Sequence, residues 1–474
     1  MSALELRFSG RHVLALLVAL MLALLTTLHA ANSDETLLRF AHLVRTDSWT
    51  EKWPEISGEV EEREVTAGIW NDAIQAALDQ ANSVHLPKRD QPYYLDCPII
   101  LKSGQKLTAD ADTEIRLKPG CSTCMVRNEN IIGFADKPVP VDTQPDTDIT
   151  IEGGIWTTLA TGVKDNNGNQ RGYSSKKNPV PGTHGVILLH NALRVSVKNV
   201  TVRQSRPFAI HLGNIRDFTV DGLTLDQHGR DGVHLDGPAS DGIIRNVSGD
   251  SHDDPVSITA WDWRQYSASF GPIHHLTIEH ITGAPEGKRS TDAIRLLPGV
   301  KRFSDGSTLD CPIHDITLRD ITDIRYFKLY DQPNLEAGRD NDASVGIGTL
   351  RNIVFENLTF SRPGSIQVHA NTDGLTVRDV QFNFALPAGY HLIELGPKSQ
   401  TYKHKPDDPT RWTEIFSPDL DCTVRNLSVS GVRVRGSQAD MPAEQVVHVI
   451  EQKPNLDYPK STPRGGTGKG IWIR

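Results

Sequence analysis

From about Thr183 onward the chain repeats one short unit: an alternating run rich in Val, Ile, Leu and Thr, then Asn or Asp with Gly, then another such run. The clearest copies are LRVSVKNVTV (193–202), IRDFTVDGLTL (215–225), IHHLTIEHITG (273–283), IHDITLRDITDI (313–324), LRNIVFENLTF (350–360) and LTVRDVQF (375–382). Each copy has the period-two alternation of a β-strand, and Asn, Asp or His recurs where a tight bend is needed. One unit cannot bury its apolar face alone, so the units must stack.

Stacked coils of about 20 to 30 residues made only of strands and turns predict an all-β fold, a single-stranded right-handed parallel β-helix. Leucine-rich repeats are the competing solenoid, but their Leu-x-x-Leu-x-Leu spacing is missing. Between Trp70 and Asn82, the segment WNDAIQAALDQAN places Ile74, Ala77 and Leu78 at helical spacing. We therefore expect a short helix that caps the open N-terminal end of the coil.

The two ends of the chain and one internal stretch depart from the repeat. Residues 1–31 have the layout of a secretory signal peptide, with Arg7 and Arg11, an apolar run over 13–25, and small residues at its end. An uncleaved anchor is the alternative. Residues 32–474 are then expected to form one β-helix domain, with loops over 136–182 beside a cleft and an irregular tail from about Pro454. We expect a secreted or periplasmic monomer without membrane contact once the signal is removed.

Charge and cysteine usage narrow the partners. The net charge of -9 gives no overall basic field, so nucleic acid is not an expected partner. Cys121 and Cys124 have no second pair at zinc-ligand spacing, which favours a local disulfide or free thiols over a metal. Cys97, Cys311 and Cys422 stand alone. Neither a cofactor nor a metal is expected.

Acidic residues recur in the turns of one region, 205–334. Asp231 and the adjacent pair Asp253 and Asp254 each lie in a turn directly before a short strand, and Asp292 precedes another. A single turn aspartate is usually structural, because its side chain caps its own backbone. Four in one stripe favour chemistry, because crowding of like charges raises one pKa toward the value a general acid needs.

Strand alternation predicts which side chains of these strands face outward. In VHLD, VSIT, IRLL and FKLY the apolar positions form the inward sets, which leaves His234, Ser257, Arg295 and Lys328 on the outer side. Neighbouring strands of stacked coils lie about 4.8 Å apart. The sequence therefore predicts a stripe of carboxylates beside a stripe of His, Arg and Lys on one face.

This segment resembles the polygalacturonase family, the family 28 glycoside hydrolases, within the pectin-lyase-like β-helix superfamily. GRDGVHLD, around Asp231, is similar to that family's Asn-Thr-Asp-Gly turn, and HDDPVSIT, with Asp253 and Asp254, is similar to its Asp-Asp motif at the same spacing. RPFAIHL also resembles the strand before the first motif. The later motifs diverge: Asp292 stands at the position of a family histidine and Lys328 at that of an arginine.

The resemblance implies hydrolysis of glycosidic bonds in an acidic, pectin-like, uronate-containing polysaccharide, with inversion at the anomeric centre. It implies that Asp253 is the general acid and that Asp231 and Asp254 activate water across a gap of about 6.5 to 9.5 Å. Asp292 completes the acidic group. Arg295 and Lys328 would bind the uronate carboxylate, the arginine as a bidentate fork.

Histidines and aromatic residues near the acidic turns are further candidates for substrate binding. His234 and His252 flank the acids and are placed to hydrogen-bond a sugar, although surface histidines without a task are the alternative. The loop AWDWRQYSASFGP contains aromatic residues that fit a stacking platform for sugar rings, with packing over the coil as the alternative: Trp261, Trp263 and Tyr266.

Two other functions fit the same residues. In a polysaccharide lyase, Asp253, Asp254 and Asp292 would bind Ca²⁺, and Arg295 or Lys328 would remove the proton beside the uronate carboxylate. In a non-catalytic adhesin or tailspike-like β-helix, the same face would bind glycans without cleaving them.

Overall fold

Parallel strands in register run through the chain from one coil to the next. The computed structural model describes residues 35–54, 60–121, 123–131, 144–158, 185–261, 269–284, 293–303, 305–330, 348–396, 401–405, 408–415, 423–437, 439–449 and 467–473. Over these residues the chain forms the predicted right-handed parallel β-helix, with most strands in one large sheet.

An antiparallel hairpin and the capping helix precede the coils. The hairpin consists of β1 (Arg45–Pro54) and β2 (Val60–Ile69), after a short 3-10 helix at Ala41–Leu43. Helix α1 (Asn71–Ala81) confirms the predicted cap. Its inward face buries Ala73, Ile74, Ala77 and Leu78 against the first coils.

Short strands form the first coils: β3 (Ser83–Leu86), β4 (Tyr93–Leu95), β5 (Ile99–Leu101), β6 (Lys106–Ala109), β7 (Glu114–Leu117), β8 (Val126–Asn128), β9 (Asp146–Glu152) and β10 (Ile155–Thr157). Three long strands follow: β11 (Gly185–Arg203), β12 (Phe208–His228) and β13 (Val233–Ser251).

In the later coils the strands are shorter: β14 (Val256–Thr259), β15 (Ile273–Thr282), β16 (Ala293–Leu297), β19 (Ile313–Thr322), β20 (Tyr326–Tyr330), β21 (Thr349–Phe360), β22 (Ser365–His369), β23 (Asn371–Phe382), β24 (Ile393–Leu395), β27 (Thr423–Val434), β28 (Val447–Val449) and β29 (Thr467–Ile473). Two hairpins project from them, β17 (Gly299–Arg302) with β18 (Thr308–Cys311) and β25 (Thr401–Lys405) with β26 (Asp408–Ile415). A short helix, α2 (Ala443–Val446), precedes β28.

The core consists of apolar rows that continue from coil to coil. Val233 pairs with Ile210 on one side and Val256 on the other, and the row goes on through Ile294 and Phe327. All five side chains are buried. Removal of such continuous apolar rows from water is the main stabilising contribution to a solenoid.

Bends in the coils fall on the residue types expected from the sequence. Backbone φ lies between 54° and 58° at Asn, Asp and His residues that follow one another on five successive coils: Asn246, His280, Asp320, Asn357 and Asp379. Two coils before Asn246, Asn199 has φ of 52°, and Gly222 occupies the same position on the coil between them. These residue types tolerate the left-handed region better than other side chains do, which explains their recurrence in the repeat.

Part of the predicted loop and part of the predicted tail are strands instead. Within 136–182, β9 and β10 continue the coils, because the alternation DTDITIE supports a strand. Of that stretch, only residues 144–158 are among the described residues. In the tail, β29 pairs in parallel with β27 and adds a further coil.

The expectations for the membrane and the cysteines can be compared with the described residues only. Among them no helix is long and apolar enough to span a membrane. The predicted signal peptide lies outside them. Cys124 and Cys311 are buried, Cys97 and Cys121 are partly buried, and the two alternatives for Cys121 and Cys124 stay predictions. Cys422 is not among the described residues.

Candidate active site

Two acidic turns stack directly on one another at one edge of the sheet. The first joins β12 to β13 and carries Asp231; the second joins β13 to β14 and carries Asp253 and Asp254. The Gly232 N–H donates to the Asp254 carbonyl at 2.9 Å, and the Val233 N–H donates to the Pro255 carbonyl at 2.9 Å. The backbone ladder therefore continues through the turns and holds the acidic residues in register.

Gly232 allows this close stacking. A Cβ atom at this position would lie 2.4 Å from the carbonyl oxygen of Pro255, closer than a real Cβ contact can be. Ser251 adds a second link, because its hydroxyl lies 2.7 Å from the Arg230 carbonyl and 2.9 Å from the Asp253 carbonyl. The contact with Arg230 joins the two turns, and the contact with Asp253 holds the second turn in shape.

The three carboxylates come together as the sequence predicts. Asp231, Asp253 and Asp254 each place an oxygen within 4.8 Å of the other two. The Asp231 and Asp254 side chains are buried, at 3% and 0% exposed, whereas that of Asp253 is 26% exposed. Asp253 is therefore the member of this group that a solvent-borne ligand can reach.

Their environments shift the pKa values of two of them in opposite directions. Burial raises the pKa of Asp253 to about 7, and the charges of Asp231 and Asp254 act in the same direction against Arg295 and Arg230. Burial would also raise the pKa of Asp231. There, however, the hydrogen bond from His234 and the nearby positive charges prevail and hold the pKa below its ordinary value. An acid and an ionised base side by side are the pair that general acid–base chemistry needs.

Two basic side chains of the outward row lie beside the carboxylates. Ser257 pairs with Arg295, and Arg295 with Lys328, in the outward row predicted from alternation. Arg295 contacts Asp254 and lies 3.6 Å from Asp253, and the Lys328 Nζ lies 3.3 Å from Asp254. Both side chains stay partly exposed, at 16% and 19%. Their nearest partner is thus a protein carboxylate, and their binding of a substrate uronate stays a prediction.

His234 differs from its prediction. It lies on the predicted side of its strand and is buried there, so it does not present a surface to a sugar. Its Nδ1 lies 2.7 Å from Asp231 Oδ2 and its Nε2 lies 3.3 Å from Asp236 Oδ1. The outward face of β13 is covered at this point, since the ring of Phe208 stacks on that of His234 with centroids 3.9 Å apart.

The predicted gap between acid and base is also not found. Nearest oxygens within 4.8 Å are closer than the separation of about 6.5 to 9.5 Å between carboxyl groups that is usual for inverting enzymes. The reason is that the two turns belong to consecutive coils, one strand spacing apart.

The remaining predicted site residues have mixed outcomes. Trp261 is buried, and Lys301 lies 5.6 Å from its ring centroid, so it packs over the coil and is not a platform. His252 is partly exposed beside Asp253 and stays a prediction. Asp292, Trp263 and Tyr266 lie outside the described residues.

Sequence reasoning missed Arg230, Asp236 and His211. Arg230 Nε lies 3.8 Å from Asp253 Oδ2, and its position directly before Asp231 in the turn GRDG was a usable signal. Asp236 and His211 are buried beneath the turns and bond to each other at 2.9 Å. Nothing local in the sequence distinguishes them from ordinary strand residues.

Comparison with known proteins gives structural similarity without sequence similarity. No family model matches the chain, and no curated protein does. Among solved structures, a family 28 exopolygalacturonase of Yersinia enterocolitica is similar at 13% identity and TM-score 0.41, covering 83% of this chain and 82% of that one. An endo-xylogalacturonan hydrolase of Aspergillus tubingensis is similar at 13% identity and TM-score 0.43, and the match covers 85% of this chain and 96% of that one. The Streptococcus pneumoniae surface adhesin PfbA is similar at 13% identity and TM-score 0.39, and the match covers 78% of this chain and 83% of that one.

Proposed function

We propose that this protein hydrolyses glycosidic bonds of an acidic, uronate-containing polysaccharide by acid–base catalysis, with Asp253 as the general acid. The observation that carries the proposal is the grouping of three carboxylates in two stacked turns, in which the partly exposed Asp253 lies beside two buried ones. A pKa of about 7 keeps a proton on Asp253 at neutral and acidic pH. That proton passes to the glycosidic oxygen as the bond to the anomeric carbon breaks.

Asp231 is the candidate base in this proposal. One of its oxygens, Oδ2, accepts from His234, while Oδ1 is buried and has no hydrogen-bond partner among the described residues. A water bound there would lose a proton to Asp231 as its oxygen bonds to the anomeric carbon. Neither buried carboxylate is exposed enough to touch the sugar directly, so attack by water, with inversion, is favoured over a covalent glycosyl intermediate in spite of the short separation.

Basic residues favour an acidic substrate. Arg295 and Lys328 are partly exposed on the same face as Asp253, and Arg230 stands on its other side. With Asp253 protonated, these three cations outnumber the two remaining carboxylates and leave positive charge next to the general acid. A uronate carboxylate would be attracted there, whereas a neutral sugar would not gain from the charges.

The same cations weigh against the calcium-dependent lyase. Ca²⁺ needs several carboxylate or carbonyl oxygens, but Asp254 is already in contact with Arg295 and Lys328. A calcium ion at this carboxylate would have to displace or oppose two positive charges. The lyase therefore remains the second candidate, on the strength of the three clustered carboxylates alone.

The decisive experiment is a screen of the purified protein on polygalacturonan, rhamnogalacturonan and other uronate polymers, with and without a chelator. Hydrolysis predicts new reducing ends, no ultraviolet-absorbing product and no effect of the chelator. Unsaturated products that disappear with chelator would establish the lyase, and binding without new ends on every polymer would establish a glycan-binding protein. Proton NMR of the first product tests the stereochemistry, with the inverted anomer expected.

A further inference from the structure

A line of buried polar side chains runs beneath the acidic turns. It consists of His211, Asp236, His234 and Asp231, and is called here the histidine–carboxylate chain. His211 Nε2 lies 2.9 Å from Asp236 Oδ2, and His234 connects the other oxygen of Asp236 to Asp231. All four residues are buried, at 2% exposed or less.

The contacts of its two ring nitrogens favour a positive charge on His234. Both of its ring nitrogens face carboxylate oxygens, 2.7 Å away at Asp231 and 3.3 Å away at Asp236. The Thr259 hydroxyl also lies 3.4 Å from Nε2, but its shorter contact, 2.8 Å, is with Asp236 Oδ1. An ionised carboxylate only accepts hydrogen bonds, so a ring that meets one on each side must donate from both nitrogens. A histidine that donates from both nitrogens is an imidazolium.

The surroundings hold this cation in place. Phe208 stacks on its ring at an interplanar angle of 3°, and His211 meets it edge-on at 87°. Thr259 Oγ1 donates to Asp236 Oδ1 at 2.8 Å and fixes that carboxylate from the next coil. Two buried carboxylates would be costly without such a partner, since an unpaired buried charge costs several kcal/mol.

We propose that His234 is a positioning residue: a permanent imidazolium that bridges Asp231 and Asp236, keeps Asp231 ionised, and aims its second oxygen at the reacting water. The proposal rests on the proposed function, in which Asp231 is the base. Asp236 and His211 anchor the bridge from below and touch no substrate.

The charged and titratable groups around the bridge agree with this assignment. On its own coil these are Asp231, Asp236 and Arg230; His211 and His228 belong to the preceding coil; Asp253, Asp254 and Arg295 belong to the following coils. Burial lowers the pKa of His228 to about 4, so it is neutral over the working range. Burial would lower the pKa of His234 as well, but the hydrogen bonds to Asp231 and Asp236 raise it to about 10.

A metal ion is the rival explanation for part of the chain. His211, His234 and Asp236 each offer a ligand atom within 4.8 Å of the others. A hydrogen bond at 2.9 Å and an ion-pair contact at 3.3 Å account for these distances, and the Thr259 hydroxyl already donates to Asp236 Oδ1. The bridge therefore needs no metal, and a metal analysis of the purified protein tests this directly.

The test is the variant His234→Gln, which retains an N–H donor for Asp231 but carries no charge. On a polymer that the wild type cleaves, we expect kcat to fall about ten- to hundredfold, somewhat less than the loss of a proton-transferring group itself, with KM nearly unchanged. The acidic limb of kcat/KM should move up by about one pH unit or more, because Asp231 loses the charge that keeps it ionised. An unmoved acidic limb would overturn the proposal.

The matched control is His369→Gln, a buried histidine in β22 whose Nδ1 bonds the Gly396 carbonyl, away from the acidic turns. Its acidic limb should match the wild type. A shift equal to that of His234→Gln would show a general effect of removing a buried histidine and would contradict the assignment.

A second measurement does not depend on turnover or on the variant folding. Nitrogen-15 histidine NMR of the wild type should show one buried ring with both nitrogens protonated from pH 6 to 9. A neutral His234 at pH 8, or one equivalent of bound transition metal, would overturn the proposal. If the wild type cleaves no uronate polymer, the proposed function fails, and this spectrum still decides whether the bridge exists.

Discussion

Asp253 combines partial exposure with two carboxylate neighbours, and this environment sets a pH dependence. Its pKa, raised to about 7 by burial and then by the charges of Asp231 and Asp254, lies where the proton is lost near neutrality. Activity should therefore be retained on the acidic side and fall as the pH rises through about 7. A pH profile of kcat/KM measures this, and a profile that stays flat to pH 9 would exclude Asp253 as the acid.

A change at Arg230 should move the pH at which activity falls, the basic limb of the pH profile. Its positive charge lowers the pKa of Asp253, which burial and the other carboxylates raise. The variant Arg230→Gln should therefore shift the basic limb of the profile to higher pH, by a few tenths of a unit given the partial exposure. Arg216→Gln, which alters an exposed arginine paired with Asp217, should leave the limb where it is. A downward shift for Arg230→Gln would contradict the assignment.

The same crowding should cost stability. A carboxyl whose pKa is higher in the folded protein than in the unfolded chain loses stability as the pH rises from about 4 to 7, and no further above that. At pH 8 the free energy of unfolding of Asp253→Asn should therefore exceed that of the wild type by on the order of 1 kcal/mol, and its unfolding temperature should be higher. At pH 4 the two proteins should differ little. Thermal melts at both pH values measure this. Asp217→Asn, an exposed aspartate, should show no such pH-dependent gain.

At the scale of single residues the sequence located the acids better than their partners. Alternation predicted the row of His234, Ser257, Arg295 and Lys328, and the pairing of the strands agrees with it. Alternation cannot tell whether an outward position is covered, because the cover on His234 comes from Phe208 of the neighbouring coil. The chain that links Asp231 to His211 was invisible for the same reason.

Among the elements, the turn between β12 and β13 depends on Gly232. In Gly232→Ala the new methyl group would meet the Pro255 carbonyl at 2.4 Å, so the two acidic turns would have to separate. We expect a loss of about 1 to 3 kcal/mol of stability, in the range for overpacking, together with a marked fall in turnover. Denaturant unfolding and kinetics measure both.

A matched control for this variant is Gly306→Ala in the hairpin of β17 and β18. At this glycine φ is +85° and a Cβ would meet nothing within 4 Å, so only local backbone strain is added. Its turnover should stay near wild type. Equal kinetic losses in the two variants would show that the close approach of the turns is not what matters.

In two segments the alternation of the residues predicts the structure better than their composition does. The stretch 136–182 is rich in Pro and Asn, which favoured loops, yet the seven-residue alternation of β9 was enough to form a strand beside β11. A similar bias toward Gly and Pro concealed β29 in the tail. Pairing with an existing sheet edge stabilises such short strands. The partner strand is distant in sequence, so the segment itself does not indicate the pairing.

Across the whole molecule, the repeat predicted the solenoid because stacking is the only way for such units to bury their apolar faces. The helical spacing of Ile74, Ala77 and Leu78 predicted its cap. The hairpin of β1 and β2 was not predicted, since its contacts with the coils depend on residues far away in sequence. Buried Glu51 is an example: it is held by Arg63 of the hairpin and Arg116 of β7.

The cap should control solubility of the entire protein. Ile74 is buried on the face of α1 that packs on the core of the coils, so Ile74→Asp would place an unpaired charge in the core and expose the end of the sheet. We expect destabilisation by several kcal/mol and association visible by light scattering. Gln80→Asp, on the exposed side of the same helix, should stay monodisperse. Aggregation of both variants would show that the cap's inner face is not the cause.

The central claim, that Asp253 donates the proton to the leaving group, is tested most directly by comparing Asp253→Asn and Asp231→Asn on two substrates. One is the polymer that the wild type cleaves; the other is an aryl uronide whose leaving group departs without protonation. Asp253→Asn should lose at least about a hundredfold in turnover on the polymer, keep its glycan binding, and recover on the aryl uronide. Asp231→Asn should be slow on both. An Asp253→Asn enzyme that keeps more than about a tenth of wild-type turnover on the polymer, well outside that range, would contradict the account.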